Sequence, residues 1–345
     1  MIEEKLTSIE HIRKRPAMYI GDLSSRGLKT MLGYFFDDIL KNCDYKIEIN
    51  IDFKTNNQIV LSIKNIDTHL FIETIEKLNV ENKLVSSGLP LLIALSEKVS
   101  LKITNNSSLI SLTSTKGKFK FDKKHITNKT DILEIEFKID QIIFKETELN
   151  YEAFNQFLRK YVFINTNCRI ISHDSRTEIR QTNLIDYPNG LSQQLNFKIS
   201  EQLYGKSFFR LDLTTETDNY KFQICISYQD IWLSQTIIQT FANYDELILG
   251  GSLEQGILEG LFNAIKKIGD KKQINIDRRK LKEQLILLAV IKGENFVFEG
   301  STKTKISMPK VRKYLKEFVA QQTEKYLAEN VDIKEQILEK FKKYE

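Results

Sequence analysis

Glycine and proline are scarce in this chain: 14 and 4 among 345 residues. Long disordered or low-complexity linkers are rich in such residues, so the chain is expected to fold along most of its length. Few glycines also means few loops in which backbone N–H groups can close around phosphates, because a Cβ blocks that approach. Cysteine is scarcer still. Cys43, Cys168 and Cys225 are scattered and odd in number, with no C-x-x-C and no Cys/His cluster, which argues against a zinc site or a disulfide framework. Buried free thiols in a reducing compartment are the expectation. No apolar run approaches a membrane-spanning length, and the opening Met1-Ile2-Glu3-Glu4-Lys5 lacks the apolar stretch of a secretion signal. The sequence therefore predicts a cytoplasmic protein with no membrane partner.

What is present is an ordinary globular balance, 41% hydrophobic and 28% charged, long enough for two or three domains. The net charge of +5 permits a polyanion partner without demanding one, since the charges are mixed along the chain. Ser8 to Arg15 reads as a short helix stopped by Pro16, with Tyr19-Ile20-Gly21 leaving it as an extended turn. Gly27 to Asn42 reads as a strong helix, its apolar residues Leu28, Met31, Leu32, Phe35, Phe36, Ile39 and Leu40 recurring at helical spacing. Lys46–Asp52 and Gln58–Asn65 form a hairpin turned by Asn56-Asn57. Leu70–Leu78 and Leu89–Lys98 read as helices. Val99–Ile103, Leu109–Thr113, Lys118–Asp122 and Ile132–Phe137 read as strands. Tyr151–Tyr161 reads as a helix, and Arg169–His173 with Glu178–Gln181 as a further hairpin. This first half is an α+β layer pair.

Asp186-Tyr187-Pro188-Asn189-Gly190 marks a domain boundary, giving domains 1–186 and 187–345. Beyond it come strands at Ser207–Leu213 and Lys221–Tyr228 and an extended segment at Trp232–Phe241. Gly250-Gly251-Ser252 opens a long helix, Leu253–Lys267. Asp277 leads a short one, Leu285–Lys292 is a buried strand, and Gly300–Lys305 is a loop. Pro309–Ala328 and Asp332–Tyr344 close the chain as charged amphipathic helices.

The run Arg13-Lys14-Arg15-Pro16-Ala17-Met18-Tyr19-Ile20-Gly21, followed by Gly27-Leu28, resembles the start of the ATPase portion of the B subunits of gyrase and of topoisomerase IV, members of the GHKL superfamily. Tyr187–Leu195 is similar to the lead-in of the family's transducer domain. Gly250-Gly251-Ser252 resembles its Gly-Gly-Thr segment, and Phe298-Glu299-Gly300-Ser301-Thr302-Lys303-Thr304-Lys305 its phosphate-sensing Gln-Thr-Lys loop. The resemblance implies a GHKL-type (Bergerat-like) α/β sandwich followed by a ribosomal-S5-like transducer domain. No paired acidic metal motif of the family's cleavage domain follows, so the ATPase and transducer pair alone is expected.

In that family a glutamate on the first long helix activates water, and an asparagine one turn later places Mg²⁺. An aspartate in a D-x-G-x-G segment holds adenine, and two glycine-rich stretches cradle the phosphates. Counted from Gly27-Leu28, the glutamate position falls on Tyr34. A phenol ionises only near pH ~10 and cannot act as a base near pH 7, and losing a positioned base costs ~10²–10⁴ in rate. The asparagine position falls on Asp38, an oxygen donor still able to hold Mg²⁺. Ile63-Lys64-Asn65-Ile66-Asp67-Thr68 stands where the adenine segment belongs, without its glycines, and only a register shift would let Asp67 serve. Of the second glycine stretch, Ser87-Gly88-Leu89-Pro90-Leu91-Leu92-Ile93-Ala94-Leu95-Ser96 keeps Gly88 alone, and the segment from Asp67 to Ser86 is too short for the family's ATP lid. Lys303 matches the lysine that reaches the γ-phosphate, while Ser301 replaces the glutamine before it.

The expectation is a pseudo-ATPase that has lost hydrolysis and needs no cofactor. Dimerisation, or regulation of a topoisomerase or of DNA, would be its role. Two alternatives stay open. One is a divergent ATP- and Mg²⁺-using topoisomerase component with Asp38 and Lys303 as ligands; the other is a nucleotide-independent DNA clamp. Arg13, Lys14 and Arg15 are candidates either for DNA phosphates or for packing.

Overall fold

The computed structural model describes residues 7–40, 45–80, 87–105, 108–127, 131–146, 148–202, 206–230, 234–300 and 302–343. Asn42, Cys43, Ser86, Trp232, Ser301 and Tyr344 lie outside them. The chain divides into two compact units, Met1–Pro188 and Asn189–Glu345.

The first unit is an eight-stranded sheet with helices on one face. Its elements are α1 (Ser8–Lys14), α2 (Ala17–Ile20), α3 (Ser25–Leu40), β1 (Ile47–Lys54), β2 (Gln58–Lys64), α4 (His69–Val80), α5 (Gly88–Leu95), β3 (Ser96–Thr104), β4 (Ser108–Thr115), β5 (Lys118–His125), β6 (Ile132–Ile139), α6 (Tyr151–Ile164), β7 (Cys168–Asp174) and β8 (Gln181–Ile185). The strand order is β5-β4-β3-β6-β2-β1-β7-β8, antiparallel except where β1 runs parallel to β7. Alternation explains the layering: Ile47, Ile49, Ile51 and Phe53 of β1 are buried while the residues between them are half-exposed. Asn56 and Asn57 both adopt φ 59°, the left-handed pair that a tight hairpin turn requires. Phe53 meets Phe154 of α6 edge-on, and Phe35 of α3 meets Phe71 of α4 in the same way.

The second unit contains α7 (Gly190–Ser200), β9 (Ser207–Glu216), β10 (Tyr220–Gln229), β11 (Ile237–Ala242), β12 (Asp245–Glu246), α8 (Ser252–Lys271), a 3-10 turn (Arg278–Lys282), β13 (Leu285–Gly293), α9 (Pro309–Glu329) and α10 (Val331–Phe341). Its five strands run in the order β12-β11-β13-β10-β9. The core joins Phe222, Ile224 and Ile226 of β10 to Leu253, Ile257 and Leu261 of α8 and Leu315 and Val319 of α9. Gly256 and Gly260 let α8 and α9 touch: a Cβ at either would stand 2.7 Å from a carbonyl oxygen, of Arg312 or Lys316. Asp277 opens the 3-10 turn, its side chain accepting from the Arg279 amide.

Three local expectations are corrected. Tyr19 and Ile20 belong to the helical turn α2 rather than to an extended segment, because Pro16 suits the start of a helix as well as its end. Gly21, at φ 83°, ends that turn, and Tyr19 Oη lies 2.6 Å from His11 Nδ1. The helix expected to reach Lys98 stops at Leu95, and Ser96–Lys98 already belong to β3. An unbroken apolar run carries no period to separate helix from strand. The partner of β7 is Gln181–Ile185 rather than Glu178–Gln181, because Asp174 and Arg176 tie the intervening loop together. Within the extended segment expected at Trp232–Phe241, whose start lies outside the described residues, Ile237–Ala242 form β11.

Candidate functional site

Helix α3 carries Tyr34 and Asp38, the positions to which the resemblance points, and its start is firmly built. The Asp22 carboxylate accepts from the amides of Ser24 (2.9 Å) and Gly27 (3.0 Å) and from Ser24 Oγ (2.6 Å). The Ser24 hydroxyl and amide, with the Arg26 guanidinium, hold this carboxyl well below the usual carboxylate range. The buried face of α3 is that predicted by spacing, Leu28 through Leu40. Tyr34, Asp37 and Asp38 lie half-buried.

Asp38 faces α5. Its Oδ2 accepts from the amide of Gly88 at 2.6 Å and of Leu89 at 3.3 Å. The first N–H groups of a helix have no partner within it and attract anions; here the chain's own carboxylate takes two of them. Gly88 is required for a different reason than a phosphate cradle. A Cβ there would lie 2.2 Å from the amide nitrogen of Phe35 and 2.4 Å from the carbonyl carbon of Tyr34. Glycine lets the start of α5 press against the backbone of α3, at the turn that holds Tyr34.

The rest of α5 fills the interior. Leu91 is 4% exposed, and Leu92 and Leu95 are 0%. Burial of a leucine side chain contributes about 2 kcal/mol, so displacing these three to admit a ligand would forfeit about 6 kcal/mol. The amides of Gly88 and Leu89 cannot serve Asp38 and a phosphate at once, and a second anion beside this carboxylate meets like charge.

The segment that the resemblance matches to adenine recognition, residues 63–68, is engaged within the chain. Asn65 is exposed, sits at φ 58°, donates its amide to the carbonyl of Asp131 (3.1 Å), and has its side chain 3.4 Å from the carbonyl of Lys46. Lys64 pairs loosely with Glu48 at 3.7 Å. Asp67 accepts from the His69 amide at 3.0 Å and so opens α4. Thr68 and Phe71 beyond it are buried. Among the described residues no group of three or more His, Cys, Asp or Glu side chains stands ready to hold a metal ion.

Arg13 binds inward. Nη1 donates to the carbonyl of Ala94 (2.7 Å) and approaches that of Ser96 (3.4 Å), at the C-terminus of α5, and Nη2 pairs with Asp140. Lys14 and Arg15 are exposed. In the second unit Lys303, at φ 54° and 48% exposed, lies 3.6 Å from Asp245 and 6.0 Å from the centre of the Phe298 ring. Lys305 pairs with Glu299 at 2.7 Å.

Sequence reasoning missed two partners, Asp38 for α5 and Asp140 for Arg13. A signal existed for the first. Gly88-Leu89 opens a predicted helix whose first amides need an acceptor, and Asp38 is an acidic residue on an earlier helix.

The α+β fold of two units is similar to that of solved gyrase B structures. Residues 185–345 match the family model of DNA gyrase B. Over 97% of its length the chain is 26% identical to the DNA gyrase B protein of Staphylococcus epidermidis and 25% identical to that of Staphylococcus aureus. It spans 56% of the length of each. Among solved structures it resembles DNA gyrase B from Myxococcus xanthus (TM-score 0.83, 15% identity, 96% of this chain and 99% of that one). It also resembles the 43K ATPase domain of Thermus thermophilus gyrase B, solved in complex with an aminocoumarin (TM-score 0.79, 17% identity, 97% and 94%). In fold the chain is similar to these gyrase B structures. Among the described residues no helix is long and apolar enough to cross a membrane.

Proposed function

We propose that this chain is a pseudo-ATPase: a gyrase-B-like module, with residues 1–186 as GHKL-like domain and 187–345 as transducer, that no longer hydrolyses ATP. In this reading it acts as a dimerising or regulatory partner of a topoisomerase or of DNA. One observation carries the reading, the Asp38 carboxylate on the amides of Gly88 and Leu89. It supports a helix start whose anion site is filled by the protein itself. Tyr34 in the general-base position and the absence of an adenine aspartate at Asn65 point the same way. Calorimetric titration with ATP and Mg²⁺ tests it. No saturable heat is expected, and binding tighter than about 1 mM would sink the reading.

A second reading, a divergent ATP- and Mg²⁺-dependent topoisomerase component, draws on Lys303. That lysine is half-exposed, and its 3.6 Å contact with Asp245 is loose enough for another anion to compete. This reading expects Lys303→Ala to abolish any ATP turnover; an unchanged rate removes it.

A further inference from the structure

The helix-free face of the first unit's sheet carries a basic surface that the nucleotide chemistry does not use. Lys98 and Lys102 of β3 and Lys118, Lys120 and Lys124 of β5 are all exposed. Register places them on one face. Lys98 aligns with Thr115 and Lys118, Ser100 with Thr113 and Lys120, and Lys102 with Ser111 and Asp122. The alternate residues of β5 face the helices, where Lys123 pairs with Glu76 of α4. Rows along a strand repeat at about 7 Å and neighbouring strands at about 5 Å, so the amines form a grid rather than a point charge.

Three features separate this grid from an ordinary solvated face. Lysines on an edge strand such as β5 are a common guard against aggregation, but β3 lies inside the sheet, between β4 and β6, and needs no guard. Among the described residues, Lys98, Lys102 and Lys120 form no ion pair, whereas Lys124 has Asp122 at 3.4 Å and Lys138 on β6 has Glu97 at 2.8 Å. The amines alternate with the hydroxyls of Ser100, Thr113 and Thr115, and the half-buried Leu109 is the only apolar residue on these three strands' outer face. Protein partners dock through apolar and aromatic anchors; phosphate backbones are held by lysine and hydroxyl donors. Glu134 and Glu136 of β6, opposite Lys102 and Ser100, border the grid on its inner side.

We infer that the outer face of β3–β4–β5 binds the phosphate backbone of duplex DNA without reading its sequence. This gives the DNA side of the proposed role a surface of its own, and the nucleotide titration above and the DNA assay below fail independently. The probe is a short fluorescein-labelled duplex, followed by anisotropy from about 50 to 200 mM salt. Each engaged phosphate contributes about 0.9 to the slope of log affinity against log salt. The variant Lys98→Gln/Lys102→Gln/Lys120→Gln should therefore lose about 2.7 from the slope and bind at least about tenfold more weakly at 50 mM salt. A control, Lys310→Gln/Lys313→Gln/Lys325→Gln on α9, removes the same charge from exposed positions elsewhere. Circular dichroism and thermal melting establish that both variants fold. A selective loss in the sheet variant supports the assignment. No binding by the wild type at 50 mM salt, an unchanged slope in the sheet variant, or an equal loss in the control overturns it, as does a preference of this face for an acidic protein over the duplex.

Discussion

Arg13 forms an ion pair with Asp140, whose side chain is only 2% exposed, while the same guanidinium holds the carbonyl of Ala94 at the end of α5. The first basic residue of the Arg13-Lys14-Arg15 run thus fastens α1 and α5 to the end of β6. Removing one partner of a buried pair leaves the other charge stranded, at a cost of about 3–5 kcal/mol. Arg13 is 20% exposed, so the lower figure applies. Arg13→Ala is expected to lose about 3 kcal/mol in urea unfolding, against changes within about 0.5 kcal/mol for Lys14→Ala and Arg15→Ala. Equal effects at all three positions would remove the packing role.

Gly88 gives a test that separates packing from phosphate binding. With the missing Cβ placed 2.2 Å from a backbone nitrogen of Phe35, no side-chain movement relieves the clash, and α3 and α5 must part. Gly88→Ala is expected to destabilise the chain by about 3 kcal/mol with no nucleotide present, lowering the melting temperature. A variant as stable as wild type would mean that the glycine serves a ligand instead.

Much of the scaffold was legible because its signals are local. Ile47, Ile49, Ile51 and Phe53 repeat with period two, Asn56-Asn57 names its turn, and Leu28 to Leu40 keeps helical spacing over the whole of α3. The helix-to-strand change at Ser96 was not legible, since Leu91 through Leu95 are apolar at every position and either structure buries them. At the site, sequence offsets placed Tyr34 and Asp38 on α3, but what Asp38 does depends on Gly88 and Leu89, which folding alone brings beside it. The inward role of Arg13 depends likewise on Asp140, beyond six strands of intervening chain.

Asp38 gives the proposed loss of hydrolysis a test of its own. If Tyr34 in the general-base position were the sole defect, Tyr34→Glu would restore turnover. The filled α5 start predicts instead that Tyr34→Glu hydrolyses no ATP above background in a coupled phosphate-release assay. Asp38→Ala should cost about 1–3 kcal/mol by leaving the amides of Gly88 and Leu89 without their acceptor. Added phosphate should recover part of that loss in thermal melts, because the uncovered amides again face an anion. Measurable turnover by Tyr34→Glu would show that the helix start is open after all.

The last prediction concerns pH and lies in the second unit. Lys340 lies against the rings of Tyr228 and Phe341, 5.1 and 5.8 Å from their centres, and donates to Gln284 Oε1 at 2.5 Å. Burial lowers its pKa from 10.5 to about 8, with Glu283 opposing the shift and Lys280 adding to it. The folded chain therefore releases this proton near pH 8, while the unfolded chain keeps it until about 10.5. Between those values the unfolded state binds more protons, so the contribution of Lys340 to stability rises with pH across that window. Below pH 8 both states are protonated, and the partly buried charge is a standing penalty. Lys340→Met removes the titration. Measured by urea unfolding at intervals from pH 7 to 10, the stability of wild type relative to this variant should climb steadily through the window. A difference that stays flat would show that the amine is solvated well enough to keep its ordinary pKa.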